Sequence, residues 1–196
     1  MKPGAFKPGK LRIIAGAWRG RAIDVPEGDA IRPTSDRARE ALFNRLAHGF
    51  AEHGFQLSGA RVVDVFAGTG ALGLEALSRG AAQTTFLERD LGAVALIKRN
   101  VAKFGAEDRA VVLNADAVNL PRAAGAHDLA LLDPPYAQDL ALPALASLAR
   151  QGWLKPGALL GVETEVDETL GEVAQFTVLD RRAYGRAAVT FLVFGA

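Results

Sequence analysis

The sequence predicts an α/β fold: a mostly parallel seven-stranded sheet covered by helices on both faces, with an antiparallel C-terminal edge and an N-terminal β-hairpin extension. Three observations carry this expectation. From Arg61 onward, β-like and helical stretches alternate, the pattern of strands joined by helical crossovers. A glycine-rich turn stands where the first of those strands hands over to a helix. Near the C terminus, two β-like runs bracket Tyr184-Gly185-Arg186, a turn suited to a hairpin.

In chain order, Leu11-Arg12-Ile13-Ile14 and Arg21-Ala22-Ile23-Asp24-Val25 flank the Gly16 to Gly20 cluster and read as a β-hairpin. Pro33, Thr34, Ser35 and Asp36 supply capping chemistry for a helix from about Asp36 to His48, with Ala38, Ala41, Leu42 and Leu46 on one face. Gly49 to Gly59 is a connector. Strands follow at Val62 to Val65, Thr84 to Leu87, Ala110 to Leu113 and Leu129 to Leu132, interleaved with helices over Ala71 to Ser78 and Leu91 to Phe104. A helix around Leu140 to Arg150, a strand around Ala158 to Glu163, and the pair Phe176 to Arg181 and Ala187 to Val193 complete the set.

With 196 residues, 49% of them hydrophobic and 23% charged, the chain has the composition of a folded enzyme-sized domain. There is no cysteine, which excludes disulfides, thiolate metal sites and cysteine nucleophiles. No signal-peptide pattern or membrane-length apolar run is present, so a cytoplasmic protein is expected. Net charge is only +1, yet Lys2, Lys7, Lys10, Arg12, Arg19 and Arg21 all precede Asp24, the first acidic residue. Arg32, Arg37, Arg39 and Arg45 extend this basic character, so a phosphate-binding surface would be built mainly from the first quarter of the chain.

Val62 to Phe66 runs into Ala67-Gly68-Thr69-Gly70-Ala71-Leu72-Gly73, and Glu88 ends the next strand. Glycines there let backbone and helix N-terminus approach a ligand, and the carboxylate stands where a ribose is bound in dinucleotide folds. The motif alone fits a purely structural turn, a nicotinamide cofactor or S-adenosylmethionine. Asp64, within the strand before the glycines, would repel a pyrophosphate and attract the ammonium group of a methionine moiety. Asp116, after the third strand, is placed to accept from an adenine amino group, or else to cap a helix.

Leu129 to Leu132 ends at Asp133-Pro134-Pro135-Tyr136. Two prolines remove backbone donors and stiffen the turn, so the Asp133 carboxylate and Pro134 carbonyl form paired acceptors. An exocyclic amino group is conjugated with its base and is a poor nucleophile. Two acceptors gripping its hydrogens would aim its nitrogen at a methyl donor, and the Tyr136 ring would stack on an extruded base. Attack on a pyrimidine carbon is disfavoured without a cysteine.

These motifs, Asp64 to Gly70, Glu88, Asp116 and Asp133 to Tyr136, resemble the amino-methyltransferase branch of the Rossmann-like class I methyltransferases. Two longer segments resemble the bacterial RsmD family. One is Arg12-Ile13-Ile14-Ala15-Gly16 with Arg19-Gly20, and the other is Arg32-Pro33-Thr34-x-Asp36-Arg37-x-Arg39-Glu40 with Leu42-Phe43-Asn44. The resemblance implies S-adenosylmethionine-dependent methylation of N2 of a guanine of the 966 type in 16S ribosomal RNA, on the RNA or a small-subunit assembly intermediate, by a monomer. It assigns residues 1–30 to a basic arm and hairpin and 31–196 to the methyltransferase domain. Asp64, Phe66, Ala67, Gly68, Gly70, Glu88, Arg89, Asp116, Ala117 and Asp133 would hold the cofactor. Asp133 to Tyr136 would carry the chemistry, and Lys10, Arg12, Arg19, Arg21, Arg32, Thr34, Arg37 and Tyr136 the RNA; no metal is called for.

Three other readings are weighed at this level, of which a noncatalytic RNA-binding protein with a degenerate fold is disfavoured because the glycine loop and the acceptor motif are both intact. An adenine-N6 DNA methyltransferase would use the same Asp-Pro-Pro-Tyr chemistry, though such a short chain leaves no separate target-recognition domain. A nicotinamide oxidoreductase would need a proton relay, and His48, His53 and His127 fall in predicted loops or at a helix end without relay partners.

Overall fold

A computed structural model describes residues 11–26, 35–136, 138–172 and 174–195, the side chains of residues 35–37 apart. Among the described residues, four α-helices and seven strands follow the first hairpin: α1 (Ser35–His48), β1 (Arg61–Val65), α2 (Ala71–Ser78), β2 (Gln83–Glu88), α3 (Leu91–Phe104), β3 (Ala110–Asn114), β4 (His127–Leu132), α4 (Ala141–Arg150), β5 (Leu154–Glu165), β6 (Phe176–Tyr184) and β7 (Ala187–Phe194). They build one seven-stranded sheet in the order β3-β2-β1-β4-β5-β7-β6. The first five strands are parallel, and β7 runs antiparallel to both β5 and β6. The strand order reverses between β1 and β4, so the crevice beyond their C-terminal ends is the ligand site expected of an open α/β sheet.

Burial explains why the central strands read as unbroken apolar runs. Val62, Val63, Val65, Leu129, Ala130, Leu131 and Leu132 are all buried because helices cover both faces. On one face Val65, Leu132 and Leu160 pack with Leu145 and Leu148 of α4. Elsewhere Val62, Leu131 and Phe191 meet Phe43 and Leu46 of α1. β5 is longer than its apolar core predicts, starting at Leu154, and it accommodates the extra length by a register shift against β4 between His127 and Leu129.

The N-terminal hairpin reduces to a single antiparallel bridge, Arg12 with Ala22, flanked by backbone bonds from Ile13 N to Arg21 O, Gly20 N to Ile13 O and Ile23 N to Leu11 O. It is packed into the body of the fold. Leu11, Ile13 and Ile23 join Leu74, Leu77, Phe86, Ile97 and Phe104 in one buried cluster. Gly16, at φ +82, touches α2 so closely that an added Cβ would lie 1.9 Å from the Ser78 carbonyl oxygen. Beneath the hairpin the wholly buried Glu75 accepts from Ile14 N at 2.7 Å, Ala15 N at 3.0 Å and Arg79 Nε at 2.7 Å.

Two expectations are corrected here. His127 is not a loop residue but opens β4, buried, with Nδ1 on the Trp153 carbonyl at 3.0 Å and Nε2 on Thr85 Oγ1 at 3.1 Å. Its pKa is lowered, chiefly by desolvation, which suits a neutral ring in a structural hydrogen-bond chain. Arg45 is likewise not a free cation: it pairs with Asp180 at 3.0 Å and lies over the Phe50 ring.

Candidate active site

β1 ends at Val65, and the chain must turn sharply to begin α2. Phe66, Gly68 and Gly70 all adopt left-handed backbone, at φ 62, 53 and 79. Glycine does so without steric cost, whereas Phe66 stores about 1–3 kcal/mol of strain, a feature that clusters at ligand sites. Ala67 N donates to Leu87 O at 3.1 Å and Gly70 N to Ala67 O at 2.7 Å, which pins the coil. Gly73 serves packing instead: a Cβ there would lie 2.3 Å from Phe86 Cε1 and 2.7 Å from Thr84 Cγ2.

Two carboxylates brace this loop. Asp64, 1% exposed, accepts from Gly73 N at 2.8 Å from below. Desolvation raises its pKa well above the usual carboxylate value, and the negative charges of Asp133 and Glu88 push the same way. Glu88 accepts from Gly68 N at 2.9 Å through one oxygen and from Asp90 N at 2.9 Å through the other. Each oxygen keeps a further acceptor site.

Across the switch point, Leu132 of β4 leads into Asp133, whose amide contacts Val65 O at 3.4 Å. Pro134 is buried, Asp133 and Pro135 are exposed, and Tyr136 Oη donates to Glu163 Oε1 at 3.0 Å. Glu163 stands at the end of β5, where desolvation raises its pKa and the Tyr136 hydroxyl works against that rise.

A cleft of about 550 Å³ joins these parts. Its walls include Phe66 and Gly68 from the loop, Glu88 and Arg89 after β2, Ala115 and Ala117 after β3, and the whole Asp133 to Tyr136 segment. Asp64 and Gly70 lie beneath the loop and are not among its lining residues. Neither is Asp116, which accepts from Val118 N at 3.2 Å in a turn; no helix follows for it to cap. Ala67 is buried in the core cluster behind the loop. Sequence reasoning did not assign eight of the lining residues to the site: Thr69, Ala71, Leu72, Leu87 and Ala115, which flank residues it did assign, and Leu11, Arg39 and Glu163, which come from elsewhere in the chain. Arg39, nearly buried, donates to the Arg12 carbonyl at 2.6 Å, tying α1 to the hairpin beside the cleft. The available signal for Glu163 was a carboxylate directly after the apolar run Ala158 to Val162.

Of the residues expected to meet RNA, Lys10, Arg32 and Thr34 lie outside the described residues, as does the Arg37 side chain. Arg12 and Arg19 are exposed. Arg21 is exposed too, with its guanidinium over the Phe104 ring at 4.5 Å and donating to Lys103 O at 2.6 Å.

Comparison with known proteins fits this geometry. A family model described as "Conserved hypothetical protein 95" matches residues 11–193. The chain is 39% identical over 189 residues to ribosomal RNA small subunit methyltransferase D of Escherichia coli K12, covering 95% of this chain and 91% of that one. It is 38% identical over 181 residues to the protein of the same name from Haemophilus influenzae, 90% of each. Among solved structures, a putative methyltransferase, yhhF, from Escherichia coli superposes with a TM-score of 0.81 at 36% identity, covering 96% of this chain and 99% of that one. TrmN from Thermus thermophilus, 23% identical with a TM-score of 0.62 over 80% of this chain and 48% of its own, shares the fold alone. The architecture is therefore that of the Rossmann-like class I methyltransferases, and the chain belongs to the RsmD family.

Proposed function

We propose that the protein transfers a methyl group from S-adenosylmethionine to the exocyclic N2 of a guanine in 16S ribosomal RNA, the position 966 type. It would act in the cytoplasm, as a monomer, on the RNA or a small-subunit assembly intermediate. The observation that carries this reading is that Glu88 with its glycine loop and Asp133 to Tyr136 open into the same cleft. A cofactor end and a base end are thus within one cavity.

The cleft suits this cofactor better than a dinucleotide. Glu88, Asp133 and Glu163 outnumber Arg39 and Arg89 among its charged lining residues, a balance that disfavours a pyrophosphate and suits a molecule carrying a sulfonium and an ammonium group. Phe66, Leu72, Leu87 and Ala117 supply apolar surface for an adenine ring. When bound, S-adenosylmethionine supplies an electrophilic methyl group. Glu88 would accept from ribose hydroxyls with its remaining lone pairs, and Ala115 to Ala117 would border the adenine. Asp64 would act through the loop and through its charge, since it supports Gly73 from beneath.

At the other end, Asp133 and the Pro134 carbonyl would accept the two amino hydrogens of the base and orient the nitrogen lone pair. The Tyr136 ring, held through its hydroxyl by Glu163, would stack on the extruded base for about 1–3 kcal/mol. Catalysis is then chiefly positioning. Exposed Arg12 and Arg19, with the basic residues of the arm, would meet the RNA backbone.

The test is to incubate the protein with labelled methyl donor and small-subunit ribosomal RNA, deproteinised or protein-bound, and to map the product. A single N2-methylguanine is expected. Label on adenine N6, or on DNA in preference to RNA, would replace this reading with its rival.

A further inference from the structure

Glu163 has no part in the acceptor pair that grips the amino group, yet it lines the same cleft. β4 and β5 are parallel and pair Leu132 with Val162. Asp133 follows the last residue of β4 and Glu163 follows Val162 near the end of β5, so the register brings both carboxylates to the wall of the same cleft. The Tyr136 hydroxyl fixes one Glu163 oxygen at 3.0 Å. Each carboxylate oxygen can accept more than one hydrogen bond, so acceptor capacity remains.

The chemistry of the amino-bearing bases gives this arrangement a meaning. In guanine the amino-bearing carbon is flanked by N1, which carries a hydrogen, and by N3, an acceptor. In adenine, as in cytosine, the amino-bearing carbon has a single ring-nitrogen neighbour, and that nitrogen is an acceptor. Guanine alone sets a ring N–H donor beside its amino group. A second carboxylate next to the amino-gripping Asp133 matches that donor and meets a lone pair in either other base.

We propose that Glu163 is the specificity-determining residue of the site, accepting from N1–H of the target guanine while Asp133 holds the amino group. The inference rests on the guanine-N2 reading above and deepens it. Partial burial fits the role: Glu163 is half-buried in the cleft wall, so a base that covers it displaces water, and an arriving ring N–H replaces the lost donor whereas an arriving lone pair does not. Sites built to hydrogen-bond one donor reject analogues lacking it far more strongly than apolar pockets reject a size change.

The decisive substrate is 2-aminopurine, which keeps the amino group at C2 and has a bare acceptor at N1. It would replace the target guanine in the smallest RNA or reconstituted particle that the enzyme methylates. Wild-type enzyme should prefer guanine by about 100-fold or more in kcat/KM. E163Q, whose amide offers a donor as well as an acceptor, should bring that ratio within about tenfold, mainly by losing rate on guanine and gaining it on the analogue. Its affinity for S-adenosylmethionine, measured by calorimetry, should stay within about threefold of wild type. A ratio unchanged in E163Q, or a wild-type enzyme that accepts both bases alike, overturns this assignment while leaving the guanine-N2 reading standing. Loss of cofactor binding in E163Q overturns it too, by placing Glu163 at the other end of the cleft. Wild-type enzyme that methylates no guanine N2 refutes both readings together.

Discussion

Replacing Glu75 by alanine removes the acceptor for three donors at once: the amides of Ile14 and Ala15 and the Nε of Arg79. The Glu75 side chain is fully buried and that of Arg79 is 12% exposed, so the guanidinium would be left almost dehydrated without its counter-charge. Breaking a buried pair from one side costs about 3–5 kcal/mol. For a chain of this length each kcal/mol lowers Tm by roughly 2–4 °C, so E75A should melt about 6–20 °C lower. Glu75→Gln keeps one oxygen for an amide and the same volume, and should lose about 1–3 kcal/mol. Thermal and urea denaturation give the global figure. Timed trypsin digestion gives the local one, since cleavage after Arg19 and Arg21 should accelerate as the hairpin loosens from α2. An E75A protein that melts within about 2 °C of wild type and is cut no faster would show that the hairpin is held by its apolar contacts alone.

Asp133→Ala should abolish methyl transfer while cofactor affinity stays within a few-fold, because the carboxylate addresses the base; an active variant would remove Asp133 from the mechanism. Glu88→Ala should weaken cofactor binding by about 1.5–3 kcal/mol per charged hydrogen bond lost, and would also free the Gly68 amide; calorimetry showing unchanged affinity would move the ribose contact elsewhere. Asp64 is held with a raised pKa, so burying its charge costs stability as pH rises from the unfolded towards the folded pKa. Asp64→Asn should therefore melt at or above wild type at neutral pH and lose that advantage in acid. Asp64→Ala should instead lose about 1–3 kcal/mol by leaving the Gly73 amide unpaired; melting curves across pH decide, and a D64N protein less stable than D64A would refute the account. Charge reversal at Arg12 and Arg19 leaves internal contacts of their side chains undisturbed better than reversal at Arg21, which would strip Phe104 and Lys103 O of a partner. The double variant should bind RNA less tightly, with a log–log salt slope shallower by up to ~0.7 per lost contact on single-stranded RNA; an unchanged slope would take these two residues off the RNA.

Periodicity and local chemistry determined much of this protein from the sequence alone. Ala71 to Ser78 and Leu91 to Phe104 are helices at the predicted bounds, and the central strands differ by a residue or two at most ends, because an apolar run two-face buried, or an apolar stripe at helical spacing, is written along the chain itself. The glycine loop and Asp133 to Tyr136 were legible for the same reason: each is a short contiguous segment whose backbone demands show in its residue types. What only the tertiary structure decided is how distant segments share space. Glu75, on α2 between apolar neighbours, gives no sign that it receives amides some sixty residues earlier. Nothing in the sequence pairs Arg21 with Phe104 or Arg45 with Asp180, contacts between segments far apart in the chain. Asp64 and Asp116 stand at strand ends where ligands bind, yet loop packing puts one beneath the cleft and a tight turn sets the other outside its lining. Glu163 owes its position beside Asp133 to the register of two parallel strands, and register is a property of the assembled sheet, invisible in either strand by itself.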